Sequence, residues 1–101
     1  MNTVFQYKSV ESSKSLESFT TNKILKLVKK YEFIIRADIF FNKEHKNVQK
    51  GNICGIRLSL PGPRIYASSN ENSFENSISK TIEDLKIQLE KRKVKLYKSL
   101  N

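Results

Sequence analysis

Apolar residues along this chain recur at every second position, then at every third or fourth, and the changes of period mark out six elements. In residues 3–8, Thr3, Phe5 and Tyr7 share one face, which predicts a strand. Beyond Ser12 or Ser13, either one suited to capping, Leu16, Thr20, Ile24, Leu27 and Tyr31 line a single stripe. Phe19 and Val28 lie on its edges, and the pattern predicts a helix to about Tyr31. Alternation returns over residues 33–41, with Phe33, Ile35, Ala37, Ile39 and Phe41 on one face. Ile34, Arg36, Asp38 and Phe40 make the mixed opposite face. The stretch from Asn42 to Asn52 is polar and basic and reads as a hairpin loop. Residues 53–60 alternate again, with Cys54, Ile56, Leu58 and Leu60 inward and Gly55, Arg57 and Ser59 outward.

Proline lacks an N–H and fixes φ, so Pro61-Gly62-Pro63 turns the chain into a short strand over 64–68 with Ile65 and Ala67 toward the core. A polar break, Ser69 to Asn72, precedes a long helix from near Ser73 to Tyr97. Phe74, Ile78, Ile82, Leu85, Leu89 and Leu96 fall within a stripe about 80° wide. Asn72 with Glu75 three residues on resembles a capping box. The order β-α-β-β-β-α is that of an α+β two-layer sandwich, a four-stranded sheet with two helices packed on one face.

With 101 residues the chain is expected to form one domain, 1–101, ending in a basic tail over about 91–101. No apolar run reaches the ~20 residues that cross a bilayer, and the N-terminus lacks the pattern of a signal peptide. A cytoplasmic location without membrane contact is therefore expected. Cys54, the single cysteine, has no internal disulfide partner and reads as a buried thiol.

Charge changes the picture. The chain carries 19 Lys+Arg against 10 Asp+Glu, a net +9, which favours a polyanionic partner. Lys23, Lys26 and Lys30 form a row along one flank of the first helix, and Lys29 extends it. On the last helix, Lys80, Lys91 and Lys98 fall on a line opposite the core stripe, interrupted by Asp84. Arg92 and Lys93 flank the core side and Lys95 lies to one edge. If the helices pack side by side, these rows share one surface able to engage several phosphates and release counterions. Nothing in the pattern specifies bases, so the contact expected is to backbone and shape. Phe40 and Tyr66, near Arg36, Arg57 and Arg64, are placed for a stacking platform on the outer sheet face, although no RNA-recognition-motif signature is present.

Catalytic chemistry finds few groups to work with. His45, the single histidine, sits in the most polar loop. One Cys and one His without further soft ligands make no zinc site, and a core-facing Cys54 is no nucleophile. Gly51, Gly55 and Gly62 have neither P-loop nor dinucleotide-binding spacing. We read no enzyme, no small-molecule substrate, no cofactor and no metal from this sequence.

Several segments stand in a set order: Leu16-x-x-Phe19, Ile24-x-x-Leu27-x-x-x-Tyr31, Leu58-x-Leu60-Pro61-Gly62, Ile65-Tyr66-Ala67 and Ser73-Phe74-Glu75-x-Ser77-Ile78. The last is Ile82-x-x-Leu85-x-x-Gln88-Leu89-x-Lys91-x-Lys93-x-Lys95. Together they resemble the ribosome hibernation promoting factor family, also called ribosome-associated inhibitors, and the resemblance spans nearly the whole chain. It implies a stress or stationary-phase protein on the small ribosomal subunit and its rRNA, in the channel for messenger RNA and tRNA anticodon ends. Such a protein inhibits translation by occlusion. By position, the family's RNA-facing cations map to Lys23, Lys26, Lys30, Lys80, Lys86, Lys91, Arg92, Lys93 and Lys95.

Departures are Ile87, where several relatives carry a cation, Asp84, where some carry lysine, and Ser77, which replaces a common alanine. With the sequence ending at Asn101, the expectation is the short form, without the C-terminal dimerisation domain of long members and monomeric away from the ribosome. Two other readings stand beside it. One is a stand-alone double-stranded-RNA binder, whose αβββα order the chain contains. The other is a self-association module using a sheet edge or the outward Ile87 and Val94.

Overall fold

The computed structural model describes residues 1–46 and 49–100, the last two by backbone alone. Asn47 and Val48 of the expected loop and Asn101 of the expected tail lie outside the described residues. The elements are β1 (Asn2–Lys8), α1 (Lys14–Lys30), β2 (Arg36–Lys43), β3 (Asn52–Ser59), β4 (Ile65–Glu71) and α2 (Phe74–Leu100). They form the expected β-α-β-β-β-α sandwich. The sheet order is β1-β2-β3-β4, with β1 parallel to β2 and the other pairs antiparallel.

Alternation along each strand sends one set of side chains under the helices. Ala37, Ile39, Phe41, Cys54, Ile56 and Leu58 are buried there against Ile24 and Leu27 of α1 and Ile78, Leu85 and Leu89 of α2. Ser13 starts α1, its Oγ accepting the Leu16 N–H at 3.3 Å. The Tyr7 hydroxyl donates to Glu17 at 2.7 Å and so ties β1 to that first turn. Buried Ser77 donates to the Asn52 carbonyl and accepts the Glu71 N–H, which anchors α2 to both β3 and β4. Thr81, one turn on, donates to the Ser77 carbonyl at 2.7 Å and reaches the Cys54 carbonyl at 3.2 Å.

Four boundaries differ from expectation. The second strand begins at Arg36, not Phe33. Tyr31 N–H closes on the Leu27 carbonyl at 2.7 Å and Ile34 N–H on the Tyr31 carbonyl at 3.2 Å, so 31–34 form a tight turn. The turn places Ile34 in the core at 5% exposure and leaves Ile35 outside at 60%, the reverse of the strand reading. β4 runs through the expected polar break, because its ladder with β3 continues to the Asn52–Glu71 pair. Its polar side chains serve that end: Asn70 accepts the Gly51 N–H, and Asn52 donates to the Glu71 carbonyl.

The cap of α2 is Ser73 rather than Asn72. The Ser73 Oγ accepts the Asn76 N–H at 3.1 Å, while the Asn72 side chain accepts from that of Asn76. Finally, α2 continues to Leu100. At 1.5 Å per residue its 27 residues span about 40 Å, whereas the seven of β4 span about 23 Å. Its last turns therefore have little sheet beneath them. Leu96 is half-buried, and Val94 and Tyr97 are exposed.

Candidate nucleic-acid interface

Both helices return antiparallel to the strands before them, so they run in the same direction across the sheet. Their register is pinned where α1 ends: the buried Tyr31 hydroxyl donates to Glu90 Oε2 at 2.7 Å. Burial first, then the Glu90 carboxylate, pushes the phenol up to about 12, so it remains a neutral donor at ordinary pH.

Between the helices lies an open groove of about 330 Å³. Leu27, Tyr31 and Ile82 line it together with Lys23, Lys26 and Lys30 from α1 and Lys86 from α2. Two of these lysines are braced by rings: Lys23 Nζ sits 5.0 Å from the Phe19 centroid and Lys30 Nζ 5.4 Å from that of Tyr31. The aliphatic stems cover the edge of the core and the ammonium groups gather at its rim. Four of the nine sequence-predicted cations thus meet at one place.

The other five are spread. Lys93, seven residues beyond Lys86, occupies the same flank of α2, its ammonium 5.9 Å from the Tyr97 ring centroid. Lys91 is exposed on the outer side of the helix. Lys80 lies on that outer side near the start of α2 and pairs with Glu71 at 3.4 Å, which offsets part of its charge. Arg92 turns toward the sheet, donating to the Pro61 carbonyl at 2.8 Å. Gly62 beside it has φ +93°, a conformation that favours glycine, and the Arg92 guanidinium lies against its bare Cα. Lys95, seven residues beyond the Gln88 that bonds the Tyr66 carbonyl of β4, is exposed on the β4 flank, away from α1.

Sequence reasoning missed Glu90, the carboxylate at the end of the groove. Its signal is present in the chain: it stands four residues after Lys86 and three before Lys93, hence on their flank. The sequence pattern places Tyr31 on the core stripe and does not show its hydrogen bond to Glu90.

Cys54 is fully buried and its thiol is pushed up to about 12 by that burial, the Thr81 hydrogen bond opposing it. It is no nucleophile in this state. His45 is exposed in the β2–β3 loop. Among the described residues no group of three or more His, Cys, Asp or Glu is placed to hold a metal, and no helix is long and apolar enough to cross a membrane.

Comparison with known proteins adds the family. Solved structures share the fold, two of them as follows. A ribosomal subunit interface protein from Coxiella burnetii is 24% identical with TM-score 0.80, covering 93% of this chain and 99% of that one. The Protein Y N-terminal domain from Thermus thermophilus is 15% identical with TM-score 0.72, covering 89% and 93%. Comparison with curated protein sequences gave no significant match. The profile of the family described as sigma 54 modulation protein / S30EA ribosomal protein matches residues 3–97, and the chain belongs to that family, the hibernation-factor family its sequence resembles.

Proposed function

We propose that this protein is a ribosome hibernation factor. It lays the α1–α2 face on rRNA of the small subunit, in the channel used by messenger RNA and tRNA, and blocks translation by occlusion under stress or in stationary phase. The observation that carries this reading is the meeting of Lys23, Lys26, Lys30 and Lys86 around one groove on a chain of net +9. Lysine ammonium groups on a shallow, solvent-open surface favour phosphate oxygens over base edges, so shape and backbone provide the fit. Membership of the S30EA family and the name of the Coxiella neighbour, a ribosomal subunit interface protein, point to the same partner.

In this account residues 1–101 act as a single ribosome-binding domain, monomeric away from the ribosome, in the cytoplasm. Lys91, Lys93 and Lys95 extend the binding surface along the part of α2 beyond the sheet. No chemical step is involved. The groove offers cations and one carboxylate, and the family is not one of known enzymes.

The test is sedimentation with purified ribosomes on a sucrose gradient at moderate salt, with excess duplex RNA as competitor. Co-migration with the small subunit that survives the competitor is the expected result. Loss to the competitor would indicate a general duplex-RNA binder, and absence of co-migration at every salt concentration would remove the ribosome as partner.

A further inference from the structure

The outer face of the sheet, opposite both helices, holds an arrangement that the lysine groove does not use. Asp38 alternates onto this solvent side of β2, yet is only 3% exposed. Two arginines cover it. Arg36 chelates the carboxylate through Nε at 3.1 Å and an Nη at 3.0 Å, and Arg57 on β3 approaches it at 3.7 Å. Arg57 also lies over the Phe40 ring, 5.4 Å from its centroid. Arg36 is held by hydrogen bonds and Arg57 by the ion pair and the ring, while their side chains stay 46% and 39% exposed. A buried carboxylate that pairs with two part-exposed arginines holds them at the surface and leaves them donors for a further acceptor.

Beside them Tyr66 on β4 is 52% exposed and reaches across Gly55, where a Cβ would collide with its hydroxyl. The bare strand at Gly55 thus lets Tyr66 lie between β4 and Phe40, over a hollow of about 320 Å³. Along the strands Lys8, Arg36 and Arg57 alternate onto this face against Asp38 alone, so its charge suits a polyanion. Aromatic faces with adjacent guanidinium groups on an open sheet are what unpaired bases stack on, whereas a duplex offers them no exposed ring.

We infer that the outer sheet face is a second RNA site, which takes unpaired bases by stacking on Tyr66 and Phe40 while Arg57 and Arg36 take the neighbouring phosphates. The choice of RNA rests on the ribosomal reading above; the stacking geometry does not. The protein then meets RNA on both faces, backbone at the groove and bases at the sheet.

The test uses fluorescently labelled hexa-adenylate and an abasic hexamer of equal charge, each titrated into the full chain. The wild type is expected to prefer hexa-adenylate. Tyr66→Ala should weaken that binding about tenfold with no change in its salt slope, because the change removes a ring and no charge. Tyr66 is half-exposed, so its removal should leave the denaturant midpoint in place. Equal binding of the two hexamers would overturn the site. So would Tyr66→Ala binding as tightly as wild type while Lys26→Ala with Lys86→Ala abolishes binding. Failed sedimentation with small subunits, alongside a retained Tyr66 effect, would remove the ribosomal reading and leave this one standing.

Discussion

The Tyr31 hydroxyl donates to Glu90 across the groove, joining residues 59 positions apart and closing the end where α1 stops. Tyr31→Phe keeps the buried ring and removes this bond, at an expected cost of about 1 kcal/mol, since exposed Glu90 recovers water. The change also alters the alkaline limb. The folded phenol ionises at about 12 against an ordinary 10.0, so its contribution is intact below pH 10 and is lost as pH rises through the folded value. Denaturant melts across that window should show a shallower loss of stability in Tyr31→Phe than in wild type. Parallel curves would mean that this phenol titrates normally.

The groove lysines should separate binding from stability. Lys26→Ala combined with Lys86→Ala removes exposed charges and no core atoms, so melting should shift by no more than about 0.5 kcal/mol per site. Affinity for small subunits should fall, and its log–log salt dependence should flatten by about 0.7–0.9 for each phosphate that the variant no longer neutralises. Lys80→Ala, already paired with Glu71, should cost less affinity than Lys86→Ala. The reverse ranking would move the RNA-binding surface to the outer side of α2.

The turn after α1 makes adjacent isoleucines unequal. Ile34 lies in the core, and Ile34→Ala should cost about 2–5 kcal/mol, whereas Ile35→Ala should fall within about 0.5 kcal/mol of wild type. Urea titration of both variants checks it; a strand beginning at Phe33 would give the opposite order.

Within the core, Leu85→Ala should cost about 2–5 kcal/mol because the side chain is fully buried. Phe74 is only partly buried and meets Phe41 edge-on at 5.5 Å, so Phe74→Ala should come at or below the lower end of the roughly 3–5 kcal/mol typical of buried phenylalanine. The same melts decide between them.

Cys54 offers a reporter of opening. Its buried thiol, with pKa about 12, should resist a disulfide reagent at about pH 8 and react only when the chain unfolds. Labelling as fast as free cysteine would place it at the surface.

The residues alone determined the six elements, their order and most of the core, because period 2 and period 3.6 leave different apolar stripes. Ile56, Leu58, Ile78 and Leu85 are legible that way without any knowledge of neighbours. Local hydrogen bonding limited the reading at the ends. The 31–34 turn overrode an unbroken apolar alternation, and the β3–β4 ladder carried a strand through Ser69 and Asn70, whose side chains argue for a break. The cations were legible as a set, but not their grouping. Helical spacing relates residues on one helix and says nothing of how two helices lie against each other. Only the packing of α1 beside α2 brings Lys86 to Lys23, Lys26 and Lys30 and faces Glu90 to Tyr31, and only the packing of α2 on the sheet turns Arg92 onto Pro61. The buried carboxylate of Asp38 was hidden for the same reason. On its own strand it reads as a solvated charge, and only the neighbouring strand places Arg57 over it.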